Sequence, residues 1–378
     1  MAIAVALIFI VVAAVLFHFV SPWWQTPLAS NWQQMDDALD ITLVITGFVF
    51  VAINLFLAYA VFRFRHREGS RATHEQGNQK LEWWLIGLTA VGVVAMLAPG
   101  LVVYAHLIVP PKEALVFEVL GQQWQWRYRL PGKDGKLGVT DIRFVSADNP
   151  FGLNPEDPNG QDDILIDSQE MHIPINKPVK VLLRSKDVLH DFFVPQFRMR
   201  MNMVPGMVTY FWFTPTKTGR FEAMCAQLCG VGHPNMRGYV VVEEEAAYQA
   251  WANAQPTFAR ASSVSSDGGK KPADDLATQG RLLAQARGCV ACHSLDGSTG
   301  VGPTWKGLYG KTETLENGTT VVADDAYLKE SILDPAAKIV RGYAPIMPQQ
   351  GFSEQELAAL IAFIKAGTDR GGANSAQK

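Results

Sequence analysis

The chain predicts a membrane-anchored multidomain protein, with transmembrane helices first, an all-β sandwich next and an all-α domain last. Three observations predict it. Apolar residues make up 48% of the 378 residues, but the long uncharged runs are confined to the first 110. From about Pro110 to Glu245, short β-rich runs alternate with Pro, Gly and Asn clusters, the pattern of a sandwich. Beyond residue 275 the pattern turns helical, and the only 4 cysteines fall in two close pairs, Cys225/Cys229 and Cys289/Cys292. The net charge of −3 gives no basic surface of the kind nucleic acid requires.

Residues 1–109 hold three expected transmembrane helices, at about 1–20, 41–62 and 83–109, each long enough to cross a bilayer core. A cleaved leader would show basic residues before its apolar run and a small-residue site after it. No Lys or Arg precedes residue 63, and Ser21-Pro22-Trp23-Trp24 follows the first run, so an uncleaved helix is expected. Trp83 and Trp84 supply an interfacial belt for the third helix. The connection before them carries Arg63, Arg65, Arg67, Arg71 and Lys80, whereas segment 21–40 carries no Lys or Arg. Loop 63–82 is therefore expected in the cytoplasm, and everything after residue 110 on the periplasmic side of a cell inner membrane. Glu82 opens the third helix, where the helix dipole favours an acid.

Residues 110–245 read as the sandwich, with strands at Ala114–Leu120, Lys180–Ser185, Val208–Thr214 and Gly238–Val242. Within it, residues 224–236 gather Cys225, Cys229, His233 and Met236 in one loop. Thiolate, imidazole and thioether together are the donors that copper prefers. A mononuclear blue-copper site needs one thiolate; two, with a His and a Met downstream, suit two copper ions sharing both sulfurs. A further strong ligand must come from elsewhere, and His190 is the candidate. Structural zinc gains nothing from Met236. A Cys225–Cys229 disulfide leaves His233 and Met236 unexplained. In the run Gly121–Tyr128, Trp124 and Trp126 are expected on one face of a strand. Met199, Met201, Met203 and Met207 alternate nearby and receive no ligand role. The acidic stretch 148–170 reads as a solvated loop, with a docking patch for a basic donor protein as the alternative.

Residues 246–275 are expected to form a short helix and then a flexible linker, rich in Ser, Gly, Lys, Asp and Pro over 256–275. In the remaining domain, 276–378, helices are expected at Leu276–Arg287 and Glu354–Ala366. Cys289-Val290-Ala291-Cys292-His293 is a haem attachment signature, with thioethers from both cysteines and the adjacent His on the iron. A thioredoxin-like dithiol needs a βαβ context that this stretch lacks. After His233 the only His is His293, and after Met236 the only Met is Met347. A His/Met-ligated haem c would therefore use His293 and Met347. This domain carries 10 basic and 10 acidic residues, so it lacks the basic face on which soluble carriers dock. A tether replaces that steering with an effective concentration of order mM.

The copper loop, together with Val188-Leu189-His190-Asp191-Phe192-Phe193-Val194-Pro195, resembles subunit II of haem–copper cytochrome c oxidases. The resemblance implies a cupredoxin-like sandwich and a dinuclear copper centre held by His190, Cys225, Cys229, His233, Met236 and the backbone carbonyl of Gln227. The family usually has Glu where this chain has Gln227, which puts in doubt the magnesium that the Glu helps to hold. It also implies that Trp124, in Gln123-Trp124-Gln125-Trp126, lies over the copper as electron entry point, with Trp126 left to packing. A Glu like Glu82 feeds a proton channel in that family, but the usual Trp-Thr-x-x-Pro after it is absent here. The C-terminal part resembles class I cytochromes c, where a proline carbonyl, matched by Pro303, orients the haem His. A fusion of both in this order resembles the caa type. That resemblance implies electron transfer from an external donor, a soluble cytochrome or other redox protein, through haem c and copper to the catalytic subunit I, beside subunit III. Subunit I reduces oxygen to water and pumps protons. A free-standing tethered carrier is the alternative. Quinol-oxidase subunits lack the copper ligands, and nitrous-oxide-type modules lack the two helices ahead of them.

Overall fold

The computed structural model describes all residues except Met1, 22–25, 67, 70, 72–76, 147–148, 167, 261–275, 350 and 373–378. Trp23, Trp24, Arg67, Asp148, Asp167 and most of the expected linker lie outside the described residues. The chain clusters into two units. One comprises Met1–Lys112 with Pro195–Arg198 and Phe213–Thr216; the other comprises Glu113–Val194, Met199–Trp212 and Lys217–Lys378.

The first unit holds α1 (Ala2–Val20), α2 (Gln33–Arg63) and α3 (Gln79–Leu107), all long and apolar enough to cross a membrane. α2 and α3 begin before the expected positions 41 and 83. Hydropathy marks only the lipid-facing part of a helix, whereas the polar residues Gln33, Gln34, Asp36 and Asp37 carry α2 on beyond it. The Asn78 side chain caps α3 by accepting from the Leu81 N–H at 3.1 Å. Thr42, Thr46 and Asn54 sit mid-helix and donate back to carbonyls four residues earlier, which pairs those donors within the helix. Phe9 and Phe48 remain largely exposed, and covering each with lipid or protein recovers about 2 kcal/mol. At the start of α2, the Arg198 guanidinium grips Asp36 with two bonds of 2.6 and 2.9 Å and donates to the Thr26 carbonyl at 2.7 Å. Such a bidentate pair is geometrically specific as well as charged.

The second unit contains the sandwich. Its strands are β1 (Leu115–Gln122), β2 (Gln125–Leu130), β3 (Ile164–Ile166), β4 (Glu170–Pro174), β5 (Val179–Ser185), β6 (His190–Val194), β7 (Met199–Met203), β8 (Thr209–Phe213), β9 (Gly219–Cys225) and β10 (Arg237–Glu243). They form two five-stranded sheets, ordered β3-β2-β1-β5-β8 and β4-β10-β9-β6-β7. Alternate residues of both sheets, among them Phe117, Val119, Leu183, Phe192, Phe211 and Val240, fill the core. Met199 and Met203 belong to that packing.

Three expectations need correction. Trp124 and Trp126 do not share a strand face. Gln122 pairs with Gln125, so Gln123 and Trp124 form the two-residue turn of a hairpin, and the Trp-x-Trp spacing runs across that turn. The acidic stretch is not wholly solvated. Asp163 is fully buried and accepts from Arg129 at 3.1 Å and from the Gly138 N–H at 3.0 Å, while Arg129 also pairs with buried Glu118 at 2.5 Å. The linker begins later than residue 256. Phe258 is buried against Leu120, Phe151 and Leu153, and its N–H donates to the Asp163 carbonyl at 2.7 Å. A lone aromatic in a polar stretch is a weak signal in sequence, but burying it is worth about 2 kcal/mol.

Asp163 also gives a pH dependence. Burial, only partly offset by the Gly138 N–H and Arg129, pushes its carboxyl from 3.8 up to about 7. The folded chain therefore keeps a proton that the unfolded chain releases. The stabilisation is complete below about 3.8 and lost as pH rises through about 7. Denaturant midpoints of the sandwich are expected to fall across that window, and Asp163→Asn is expected to flatten the dependence. A flat parental profile would refute this.

The helical part follows α4 (Glu245–Ala254) and comprises α5 (Leu276–Ala286), the hairpin β11 (Thr312–Thr314) and β12 (Thr320–Val322), α6 (Asp325–Leu333) and α7 (Glu354–Gly372). Its core is built on Ala284, Trp305, Leu308, Leu328, Leu360 and Ile364. α5 and α7 cross at Gly280, where any Cβ would collide with the Ala359 carbonyl, so only glycine permits that approach.

Candidate functional site

The loop between β9 and β10 is held at both ends by strand pairing. Met224 pairs with Arg237, and the Cys225 N–H donates to the Met236 carbonyl at 3.1 Å. β6 lies beside β9, with Phe192 opposite Cys225, which brings His190 to the same place. Cys225 Sγ lies 3.7 Å from Cys229 Sγ, 4.0 Å from His190 Nδ1 and 3.1 Å from the Gln227 carbonyl oxygen. Cys229 Sγ lies 3.6 Å from His233 Nδ1 and 3.9 Å from Met236 Sδ. Six candidate donors thus converge, and Cys225, Cys229, His190 and Met236 are buried. The sulfur separation is well beyond a disulfide bond of about 2.05 Å.

The donor set fits a soft metal. The Cys225 thiol is drawn well below its ordinary value, first by the hydrogen bond from Cys229 and then by His190, while the same contact pushes Cys229 up. For His190, burial opposes the imidazolium, but the Asp187 hydrogen bond outweighs it and the value rises. His190 Nε2 is 2.8 Å from Asp187 Oδ1, so Nδ1 is the nitrogen facing the thiols. Trp124 closes the site. Its Nε1–H donates to the Cys229 carbonyl at 3.1 Å, and Gln123 Nε2 donates to the same oxygen at 2.8 Å. A Cβ on Gly232 would overlap the Trp124 indole, so the glycine lets the ring lie against the loop. Trp126 instead packs edge-on against His190 and Phe192.

A second site lies in the helical part. A cleft of about 1130 Å³, counted with its open mouth, is lined by Cys289, Cys292, His293, Trp305 and Met347, and by Trp124 and Val231 of the sandwich. The Pro303 carbonyl accepts from His293 Nδ1 at 2.7 Å, which leaves Nε2 as the nitrogen a metal could use. The ring stacks on Trp305 at 5.0 Å, and burial lowers its pKa. A Cβ on Gly302 would come within 2.7 Å of that ring, so Gly302-Pro303 holds it from two sides. Two thiols, an imidazole of fixed tautomer and a thioether in a largely apolar cleft fit a covalently attached haem.

Glu82 is elsewhere. It sits exposed in the first turn of α3, in the unit that contains none of the other candidate residues. Sequence reasoning missed Asp187, Gln123 and Gly232, which hold the ligands and the indole rather than supply donors. The sole signal for Asp187 was a carboxylate three residues before His190.

Two protein families match parts of this chain. Residues 115–244 match the family "Cytochrome C oxidase subunit II, periplasmic domain", and residues 277–368 match "Cytochrome c". The chain is 58% identical over 259 residues to "Alternative cytochrome c oxidase subunit 2" of Bradyrhizobium diazoefficiens, covering 68% of this chain and 94% of that protein. It is 24% identical over 353 residues to "Cytochrome c oxidase subunit 2" of Alkalihalophilus pseudofirmus, covering 90% of this chain and 89% of that one. Among solved structures, the periplasmic domain of subunit II of cytochrome oxidase (CoxB) of Bradyrhizobium japonicum is 28% identical, with a TM-score of 0.28, covering 38% of this chain and 95% of that chain.

Proposed function

The chain belongs to the cytochrome c oxidase subunit II family, and from that premise we propose how its residues serve as the electron-transfer subunit of a haem–copper oxidase. The protein is membrane-anchored and works in a complex with the other oxidase subunits. When bound, two copper ions and one haem c supply one-electron carriers that change oxidation state without forming or breaking bonds in the chain. Cys225, Cys229, His190, His233, Met236 and the Gln227 carbonyl would hold the copper. Strands β6, β9 and β10 grip that set from several sides, which limits ligand movement on reduction and so the reorganisation cost of transfer. Cys289 and Cys292 would anchor the haem, and His293, through Nε2, and Met347 would bind its iron. The Trp124 indole lies against the copper loop and also lines the haem cleft, so it stands where electrons would enter the copper pair. The basic loop 63–82 supports placing both sites on the outer, periplasmic side of the inner membrane, and the donor to haem c would be an external redox protein. Glu82 would serve proton uptake through the catalytic subunit.

The convergence of two buried thiols with two imidazoles, a thioether and a carbonyl carries this reading. Metal counting on the purified chain tests it. Two coppers and one covalent haem per polypeptide are expected; zinc, or one metal at the two-thiol loop, would overturn it.

A further inference from the structure

Asp187 lies between β5 and β6, and its carboxylate faces two ways. Oδ1 sits 2.8 Å from His190 Nε2 and also accepts the Val188 N–H at 2.7 Å. Oδ2 accepts the Gln123 N–H at 2.8 Å. One side chain therefore holds both the imidazole whose other nitrogen faces Cys225 and the turn that carries Trp124. That turn reaches back to the site, because Gln123 Nε2 and Trp124 Nε1 both donate to the Cys229 carbonyl. The circuit His190, Asp187, Gln123, Cys229, Cys225 closes on itself. The haem-binding segment meets the circuit as well. A Cβ on Gly288 would lie 2.6 Å from the Gln123 carbonyl oxygen, and Gly288 immediately precedes Cys289.

We propose that Asp187 is a positioning residue shared by the two redox sites. It aims Nδ1 of His190 at the metal, and it fixes the Gln123–Trp124 turn where the backbone before Cys289 rests. The proposal deepens the copper-and-haem reading above and rests on it. A carboxylate is needed because the imidazole N–H and the Gln123 N–H must each find an acceptor, and asparagine offers one oxygen where aspartate offers two. In Asp187→Asn the one oxygen is best placed where Oδ1 serves both His190 and the Val188 N–H, so those bonds stay and an amide NH2 meets the Gln123 N–H, losing that bond; Asp187→Ala loses all three.

The test uses the full chain with haem attached and copper loaded. Three quantities are read: copper affinity against a competing chelator, the copper hyperfine pattern, and intrachain transfer after flash photoreduction of the haem. In that transfer one electron leaves ferrous haem iron and reduces the oxidised copper pair. Asp187→Ala is expected to lose about 10–100-fold in copper affinity and to change the hyperfine pattern, the scale on which supporting partners of metal ligands act. Asp187→Asn is expected to keep parental affinity and hyperfine pattern but to slow intrachain transfer about tenfold. A carboxylate that only stabilises the fold would lower the unfolding temperature of both variants without this split. Parental values of all three quantities in Asp187→Ala, or identical behaviour of the two variants, would overturn the proposal. Two coppers in the parent beside either result would leave the copper reading standing; zinc in the parent would sink both.

Discussion

Replacing Cys225 by serine is expected to abolish the mixed-valence copper signal and leave the haem in place. Cys225 Sγ neighbours the Gln227 carbonyl, Cys229 Sγ and His190 Nδ1, so it is central to any metal shared by the loop. A serine hydroxyl is a hard donor that keeps its proton near neutral pH, and it cannot bridge two soft ions as a thiolate does. Copper affinity is expected to fall by more than about 100-fold, beyond the range for removing a mere supporting residue. The fold is expected to survive. Serine is nearly the same shape, the Cys225 backbone bond to Met236 is untouched, and a buried unpaired hydroxyl costs about 1–3 kcal/mol. That is less than the 5–15 kcal/mol of a typical domain, so copper loss cannot be put down to unfolding (~1–3 against ~5–15). Copper counting, electron paramagnetic resonance and far-ultraviolet circular dichroism on one preparation decide the matter. Two retained coppers with the parental mixed-valence pattern would show that this sulfur is not shared.

How legible these sites were depends on how local their determinants are. Cys225, Cys229, His233 and Met236 lie in one loop, and the haem signature needs five consecutive residues, so both are written in primary structure. His190 was reachable because a metal that needs another imidazole narrows the choice. Asp187, Gln123 and Gly232 were not reachable in the same way. Their roles exist only once β6 lies beside β9 and the β1–β2 hairpin closes at Gln123–Trp124. The same limit explains the misplaced Trp124. Alternation identifies a strand, but the residue at which a strand stops to turn depends on pairing, and the pairing partner Gln125 carries no turn signal. In the membrane unit the spans were plain because apolar length alone decides them. The helix starts were not, since Gln33 and Gln79 continue a helix past the point where hydropathy falls. Buried charge was the least legible feature. Nothing in the run of acids around residue 160 distinguishes Asp163, fully buried on Arg129, from its exposed neighbour Glu156.

Met347→Ala is expected to remove the sulfur-to-iron absorption band, lower the haem potential and slow electron delivery, with both coppers retained. Met347 lines the cleft that also contains His293, Cys289 and Cys292, and among the described residues it is the one thioether there. Methionine opposite histidine raises the potential of a haem. Losing it moves the couple downward by a sizeable fraction of the ~0.8 V that axial ligands span. A packing role predicts something different. Removing a core methionine costs about 2–5 kcal/mol, but the Met347 side chain is 37% exposed and outside the core cluster around Trp305 and Leu360. Its truncation should therefore disturb stability little while changing the spectrum fully. The covalent haem should remain stoichiometric, because Cys289, Cys292 and the His293–Pro303 bond are untouched. Optical spectra, redox titration and thermal unfolding of the variant separate the two roles. A persisting sulfur band would show that another atom holds the sixth position, and a large loss of thermal stability with an unchanged spectrum would return Met347 to the core.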